Sequence, residues 1–533
     1  MKRIVGIALL LVVLASCGKR EDPNEGLSIF KYNESAGILT LDPIYAKDLP
    51  HIWACNQLYS SLVAFDEEMN VVPRVARAWD ISDDGTVYTF HLRDDVFFHQ
   101  DMSIPEGRRV NAEDVCYSFN RVVDKRLNSP GSWIFASVAH DDGTYAFRAL
   151  DDSTFQITLS TPFPPFLGIL SMTYASIVPK EAVTYYGDAF RSHPVGTGPF
   201  CFHYWNEGVK LVFHKNPNYF EVDEKGERMP YLDAVSISFL IDKQVAFLEF
   251  IKGKFDFMSG IDARYKDELL TYDGDLRQKY VDKIDLITGP FLNTEYICFY
   301  LDPNDTLGVD RARALRQAVN LCIDRDKMLR YLRNGIGIPG TGGMIPVGLP
   351  GHRDSIGYGY DLKRAQRLVR DHRLEGYQLN LSTTAEYADI GKFVQSQTEQ
   401  IGLQCKMEVM PPATMRSMRG NGSLSFFRAS WVADYPDAEN YLSLFTTSNF
   451  SPVGPNYSHY SNPQFDRLYE KAMASTEQGE RAACYAEMDS LMMLDAPVVV
   501  LFYDEVLRFV NRRVEGMGSN PTNLLDLRTV RIK

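Results

Sequence analysis

The sequence predicts a mixed α/β protein built from several compact units. The chain has 533 residues, and at about 150 residues per domain this length corresponds to three or four units. In the first half, Asp84-Gly85 lies between two alternating runs, which is typical of a tight hairpin, and no strict βαβ order follows. In the second half, a strand at 377–382, a helix at 390–401 and a strand at 404–409 form a βα rhythm. We therefore expect α+β structure first and βα units later.

Local signals predict the other main elements. Asn111 precedes a helical run and stands three residues before Asp114, which is the spacing of a capping box. Asp324 and Asp361 stand at the start of two further amphipathic helices. A rigid Gly/Pro turn at 194–200 leads into a strand. Further strands are predicted at residues 27–32, 154–159, 201–205, 235–239, 252–257, 497–503 and 506–510.

The stretch from Trp431 to Asp437 combines a strand end with a chain break. Pro436 disfavours helix at the preceding residue, and Asp437 is placed to cap the helix that follows. Asp434 therefore ends a strand between two aromatic residues, Trp431 and Tyr435. A carboxylate framed by aromatic faces suits a ligand with an ammonium group. A purely structural turn is the alternative that these residues leave open.

The amino terminus resembles the signal of a bacterial lipoprotein. A basic pair precedes an apolar run at residues 4–15, which is too short to span a bilayer comfortably. The run ends in Leu-Ala-Ser-Cys17, which is similar to a lipobox. This resemblance implies that residues 1–16 are a cleaved signal peptide, that Cys17 carries lipid, and that residues 17–27 tether the fold to a membrane. An ordinary secretory signal with an incidental cysteine is the alternative.

The net charge and the cysteine pattern argue against a nucleic-acid partner, a disulfide framework and a metal site. The formal net charge is −13, and no Lys/Arg-rich run is present, so we expect no nucleic-acid partner. Seven cysteines besides Cys17 are scattered along the chain, never in a CxxC pair and mostly in apolar surroundings. Buried free thiols are therefore expected in preference to a disulfide framework or a metal site.

The sequence carries no familiar catalytic signature. The sequence has no GxSxG, HExxH or P-loop pattern. Residues 335–340 form a GxGxxG, but they follow a helix and contain Pro339, so we interpret them as a loop. His51 and Cys55 share i, i+4 spacing, which alone is more often structural than metal-binding. We predict a protein that is not an enzyme and that has no cofactor and no metal site.

Ordered blocks across nearly the whole mature chain resemble one family, the family 5 extracytoplasmic solute-binding proteins of ABC importers, of the oligopeptide- and dipeptide-binding type. Each block is weak by itself, but their shared order is specific. The blocks are residues 41–43, 58–63, 78–93, 98–99, 111–115, 194–200, 216–220, 230–233, 316–321, 324–327, 431–437 and 461–466.

The resemblance implies two lobes joined by hinge strands, a periplasmic-binding-protein-like fold. Lobe I would comprise residues 28–60, 191–295 and 501–533, with residues 61–190 inserted as a subdomain, and lobe II residues 296–500. Closure of the lobes around a solute is then the expected motion. The implied partners are a peptide, the permease and ATPase subunits of an importer, and a membrane reached through the lipid. We expect a monomer in the cell envelope, outside the cytoplasm.

The family's ligand contacts carry over onto matching positions of this chain. They are Asp434, Trp431, Ser430, Val432, Tyr435 and Leu49. The resemblance implies that Asp434 takes the α-ammonium of a peptide and that the segment before it pairs with the peptide by strand addition. Leu49 would contribute through its backbone from the opposite wall. Trp431 is left open between pocket wall and lobe core.

The chain departs from the family pattern at several points, and other ligands and roles are alternatives. No residue for the peptide carboxylate is identified, and Arg428 and Arg416 are guesses. Residues 100–109 lengthen a loop that is shorter in the family, and Ala438 stands where proline is common. Relatives bind other solutes, so a nickel chelate, oligosaccharide, opine or haem is an alternative ligand. A lipoprotein sensor or chaperone without a transport role is a further alternative.

Overall fold

A computed structural model describes residues 26–67, 69–260, 265–302 and 306–533. The predicted signal peptide and Cys17 lie outside these residues. The strands are β1 (Ile29–Asn33), β2 (Val63–Phe65), β3 (Val71–Pro73), β4 (Ala76–Ile81), β5 (Val87–Leu92), β6 (His140–Asp141), β7 (Thr144–Tyr145), β8 (Phe147–Asp151), β9 (Thr154–Thr158), β10 (Phe200–Asn206), β11 (Lys210–Lys215), β12 (Ala234–Ser238), β13 (Phe257–Ser259), β14 (Ile284–Phe299), β15 (Ile338–Pro339), β16 (Gln378–Thr383), β17 (Gln404–Val409), β18 (Phe426–Val432), β19 (Val498–Asn511), β20 (Val514–Glu515) and β21 (Arg531–Ile532).

Several helices begin where the sequence predicts. The α-helices are α1 (Leu49–Leu58), α2 (Ala112–Val123), α3 (Phe166–Ile169), α4 (Lys180–Tyr186), α5 (Lys243–Ile251), α6 (Lys266–Leu269), α7 (Val309–Cys322), α8 (Arg325–Arg333), α9 (Leu362–Asp371), α10 (Ala388–Glu399), α11 (Pro412–Gly420), α12 (Glu439–Leu442), α13 (Pro463–Ala474) and α14 (Gln478–Asp495). Asn111 and Asp114 form the predicted capping box of α2. Asp324 and Asp361 cap α8 and α9. In each case a side-chain oxygen accepts from an otherwise unpaired N–H of the first turn.

Two long antiparallel strands, β14 and β19, lie in the middle of an eleven-stranded sheet. Its strand order is β10-β11-β12-β1-β13-β19-β14-β18-β16-β17, and β15 pairs with β19. The pairing of β14 with β19 shifts register between Pro290 and Thr294. The end of β19, at residues 508–510, pairs with β13 in the first part of the sheet, and residues 293–299 of β14 pair with β18 in the second part.

The prediction of two separate strands at 497–503 and 506–510 is wrong, because β19 is continuous. Its polar interruption, Asp504-Glu505, has partners within the sheet region. Asp504 Oδ1 accepts from Arg333 Nη2 at 2.6 Å, and Glu505 Oε2 accepts from the Gly337 N–H at 2.7 Å. Buried or half-buried carboxylates with such partners do not break a strand.

A separate four-stranded sheet, in the order β4-β5-β9-β8, contains the predicted hairpin. Gly85 has φ +69°, a left-handed conformation that side chains rarely adopt. The Asp84 carboxylate accepts from the Thr86 N–H at 3.1 Å and closes the turn. The hairpin that the sequence predicts is therefore confirmed. Its turn lies beside the second half of the chain, because a Cβ built on Gly85 would be 3.5 Å from Thr476 Cγ2.

Buried apolar side chains form two large cores. The first core draws mainly on residues 30–239 and 510–530, and the second on residues 292–503. A smaller cluster around Phe247 and Phe509 lies beside them. The domain boundaries stay a prediction. The seven cysteines after Cys17 are free thiols, six of them buried, as expected. Among the described residues no helix is long and apolar enough to cross a membrane.

The prediction for the segment after Pro436 needs correction. Instead of a longer amphipathic helix capped by Asp437, the chain forms the short helix α12 and a single 3₁₀ turn at Ser443–Phe445. The N-cap position belongs to Ala438. Asp437 Oδ1 still accepts from the Glu439 N–H at 2.9 Å, so its side chain closes the turn just before the helix.

Candidate ligand-binding cleft

The strand β18 leads to Asp434 and has one edge without a strand partner. On one side it pairs with β14 over its whole length, so that Ser430 faces Glu295 and Val432 faces Asn293. On the other side, β16 pairs only with Phe426 and the residue after it. Among the described strands, residues 428–432 therefore have no partner on that edge. Their backbone groups can accept an extended chain by strand addition.

Asn440 fixes the backbone of Asp434. Its Oδ1 accepts from the Asp434 N–H at 3.1 Å and from the Trp431 Nε1–H at 2.8 Å. Asn440 is buried at the start of the segment that follows, on α12. Trp431 is half-buried, and it packs against the second core while its N–H is held by Asn440. The aromatic residue and the carboxylate are thus positioned by one shared acceptor.

Asp434 is an exposed residue, and nearby protein partly desolvates its carboxyl. This partial burial raises the pKa of its carboxyl, and a hydrogen bond with the Asn440 side chain opposes the rise. A desolvated carboxylate gains more from an ammonium partner than a fully hydrated one does, because water screens the pair less. The position therefore suits recognition of a cation.

Tyr174, a residue of the first core, has the charge of Asp434 in its surroundings. Its ring is buried, and burial together with the charges of Asp434 and Asp48 raises the pKa of its hydroxyl to about 12. Asp48 caps α1, in which Leu49 is the first residue. Asp434 and the residue that caps the helix beginning with Leu49, far apart in the chain, thus act electrostatically on the same tyrosine. No sequence signal singled out Tyr174.

Tyr435 joins the first core although it lies among residues of the second. Its ring centroid is 6.3 Å from that of Trp133 and 6.4 Å from that of Phe163. Its hydroxyl donates to Glu439, which also accepts from Tyr469 Oη at 2.5 Å. Only 9% of Tyr435 is exposed, so its side chain joins two parts of the molecule and does not lie open in the cleft. Trp133 and Phe163 had no sequence signal either.

The two arginines considered for a ligand carboxylate have different surroundings. Arg428 donates to Glu295 Oε2 at 2.5 Å, and its guanidinium lies 3.3 Å from the centroid of the Tyr387 ring. Burial raises the pKa of Glu295, and the charge of Arg428 opposes the rise. Arg416 is exposed on α11. Arg428 therefore already has an anionic partner, whereas Arg416 lies at the surface.

Comparison with known proteins agrees with this architecture. The family described as bacterial extracellular solute-binding proteins, family 5, matches residues 70–452. The chain belongs to this family. It is therefore a non-enzymatic, extracytoplasmic solute-binding protein of an ABC importer, as the ordered sequence blocks predicted.

Individual relatives are distant but match along most of their length. The chain is 26% identical over 493 residues to the dipeptide-binding protein of Escherichia coli K12, covering 87% of each chain. It is 26% identical over 560 residues to heme-binding protein A of Haemophilus influenzae, covering 98% of this chain and 97% of the other. The structure of HbpA2 from Haemophilus parasuis superposes with a TM-score of 0.84 at 22% identity, over 95% of this chain and 100% of that one. The predicted periplasmic-binding-protein-like fold is confirmed.

Proposed function

We propose that this protein captures peptides with a free amino terminus and delivers them to the permease of an ABC importer. The observation that supports this most directly is the Asp434 carboxylate, which is partly desolvated, fixed through Asn440 and placed at the end of an unpaired strand edge. An α-ammonium is the peptide group that such a carboxylate would bind. The family-level resemblance to a dipeptide-binding protein points the same way.

Recognition of the peptide backbone would accompany the ion pair. The edge of β18 at Ser430 and Val432 offers backbone groups for strand addition. The side chains of a peptide bound in this way would point alternately to the two faces of the sheet. Leu49, at the start of α1, would contribute its backbone from the opposite wall. Binding through backbone groups gives affinity with little dependence on peptide sequence.

Ligand capture would use movement of two lobes. We assign lobe I to residues 28–60, 191–295 and 501–533, with 61–190 as its inserted subdomain, and lobe II to residues 296–500. Both long strands β14 and β19 pass between the two large cores, which is the connectivity of a hinge. Lipid on Cys17 would hold the protein at the membrane beside the permease.

The experiment is calorimetric titration of wild type and Asp434→Ala with a dipeptide and its N-acetylated form. For the free dipeptide, the variant should lose on the order of 2–4 kcal/mol of binding free energy, because a charged hydrogen-bonded partner is removed. The N-acetylated dipeptide should bind weakly to both proteins. Equal affinity of wild type for the free and acetylated forms would contradict the role of Asp434.

Mass spectrometry of ligand released from gently purified protein would test the solute class. A mixture of short peptides supports the proposal. Release of haem, a metal chelate or a sugar instead would replace peptide as the solute, and the heme-binding relative makes haem the alternative to check first.

A further inference from the structure

An open pocket lies where the first core meets the smaller cluster around Phe247. Its volume is about 370 Å³, which is within the range of small-molecule sites. The described residues that line it all come from the segments 33–53 and 243–265. Both segments fall within the residues that we assign to lobe I, so the pocket belongs to that lobe.

Aromatic rings make up much of the pocket wall. Three phenylalanines come from the smaller cluster, namely Phe247, Phe250 and Phe255. Trp53 comes from the first core. Tyr265 also lines the pocket, and its ring lies against that of Phe247 with the centroids 4.5 Å apart. Aromatic rings attract one another in offset and edge-to-face arrangements, so this wall suits an aromatic group.

Glu34 and Lys243 bring opposite charges to the pocket. Glu34 Oε1 accepts from the Ala36 N–H at 3.0 Å, and partial burial raises the pKa of the Glu34 carboxyl. The charges of Lys243 and His51 oppose this rise, whereas that of Asp48 adds to it. Positive and negative groups thus lie close together, and no single charge is left to select an ionic side chain.

Leu49 links the pocket with the proposed peptide site. It lines the pocket and begins α1, and it is the residue whose backbone would contact the peptide from lobe I. Asp48, directly before it, acts electrostatically on Tyr174, as Asp434 does. A peptide that reaches from Asp434 to Leu49 would therefore bring one of its side chains close to the pocket.

From these observations we infer that the pocket receives an aromatic side chain of the bound peptide, so that the protein prefers peptides that carry one. This inference rests on the proposed function and names a class of peptide within it. Backbone pairing at β18 gives affinity for any sequence, and the pocket adds a preference at one position. Burial of a phenylalanine side chain in such surroundings should strengthen binding about tenfold or more.

Calorimetric titration of wild type with trialanine and its three variants that carry one phenylalanine tests the preference. One of the three variants should bind about tenfold or more tighter than trialanine, and its position shows which residue of the peptide enters the pocket. Trialanine variants with lysine or glutamate at that position test for an ionic preference. Both should bind more weakly than the favoured phenylalanine peptide.

Blocking variants place the aromatic side chain in the pocket. Ala246 lines the pocket, whereas its neighbour Val245 on α5 is exposed and does not. Ala246→Phe should weaken the favoured peptide about tenfold and leave trialanine within about twofold, while Val245→Phe should leave both within about twofold. If Ala246→Phe does not fold, as judged by thermal unfolding, Tyr265→Ala removes one aromatic wall and should lower the preference about threefold.

The outcomes separate this inference from the proposed function. Equal affinity of wild type for trialanine and all three phenylalanine variants, or tighter binding of the lysine or glutamate peptide, would overturn the preference and leave peptide capture intact. Equal losses in Ala246→Phe and Val245→Phe would also overturn it, because the ring would then be bound elsewhere. If wild type binds none of these peptides, both proposals are wrong. Asp434→Ala should weaken all of them alike, with the ratio between the favoured peptide and trialanine unchanged.

Discussion

Asn440 Oδ1 accepts a hydrogen bond from the backbone N–H of Asp434 at 3.1 Å, so a buried amide on α12 sets the position of the carboxylate that faces the cleft. The same oxygen accepts from the Trp431 indole at 2.8 Å. Removal of this acceptor would leave two donors without a partner and free the chain around Asp434. The role of Asn440 in ligand binding is therefore one of positioning.

We expect Asn440→Ala to weaken dipeptide binding by about tenfold, because a carboxylate that is no longer held in place binds an ammonium less well. Calorimetric titration measures the affinity. Asn380→Ala, at an exposed position on β16, is the control and should change the affinity by less than about twofold. An effect of Asn440→Ala on thermal stability alone, with unchanged dipeptide affinity, would assign it a purely structural role.

The raised pKa of Asp434 predicts that dipeptide affinity falls on acidification. The ligand ammonium needs the ionised carboxylate, and burial makes Asp434 bind a proton at a higher pH than an ordinary aspartate does. Affinity should be constant at neutral pH and decline as the pH falls through this raised pKa. Titrations from pH 7 to pH 4 measure the decline. In Asp434→Asn the residual affinity should be nearly independent of pH, and an unchanged profile would point to another titrating group.

Asn440→Asp provides a second test of the same electrostatics. The variant keeps an acceptor oxygen but replaces the amide hydrogen-bonded to Asp434 with a carboxyl of like charge. A like charge raises the pKa of a neighbouring carboxyl. The decline of dipeptide affinity should therefore begin at a higher pH in Asn440→Asp than in wild type. A shift to lower pH would contradict this arrangement.

The turn at 194–200 packs directly on the end of α1, so Gly198→Ala should be destabilising. A Cβ on Gly198 would lie 2.4 Å from the carbonyl carbon of Leu58 and 2.6 Å from Gln57 O, and both are backbone atoms. Overpacking of this kind costs about 1–3 kcal/mol in the free energy of unfolding. Denaturant unfolding measures the loss. Gly359→Ala, where a Cβ meets nothing within 4 Å, should change the stability by less than about 0.5 kcal/mol.

The buried carboxyl of Asp489 should make the protein more stable as the pH falls towards 5. Its oxygens accept from the Met344 N–H at 2.8 Å and the Ile345 N–H at 3.1 Å, and burial nevertheless raises its pKa to about 7. The charge of His352 opposes this rise. Between the ordinary pKa of about 4 and pH 7 the native state binds the proton that the unfolded state has released, so acidification through this window favours folding.

Thermal unfolding from pH 8 to pH 5 checks the role of Asp489. Relative to Asp489→Asn, which cannot titrate, wild type should gain stability as the pH falls. Other groups titrate in both proteins, so only the difference between the two curves is informative. Parallel curves would show that Asp489 is ionised in the native state.

Local features of this protein were predictable because they depend on neighbouring residues. Asp84-Gly85 requires a left-handed turn that glycine allows, and Asn111 with Asp114 satisfies the first N–H groups of α2, so hairpin and cap followed from the sequence. The ordered blocks predicted the family in the same way. Where Asp504-Glu505 interrupts an apolar run, however, local polarity suggested two strands, because the partners Arg333 and Gly337 lie far away in the chain.

The surroundings of Asp434 depended on tertiary structure. The sequence determined that a carboxylate ends a strand beside Pro436, and the family resemblance made it a candidate for an ammonium group. Only packing of the two cores placed Tyr174 within range of the charges of Asp434 and Asp48 and seated Tyr435 against Phe163. These residues come from distant parts of the chain. They interact through burial and charge in a shared environment, and no local pattern of residues encodes that environment.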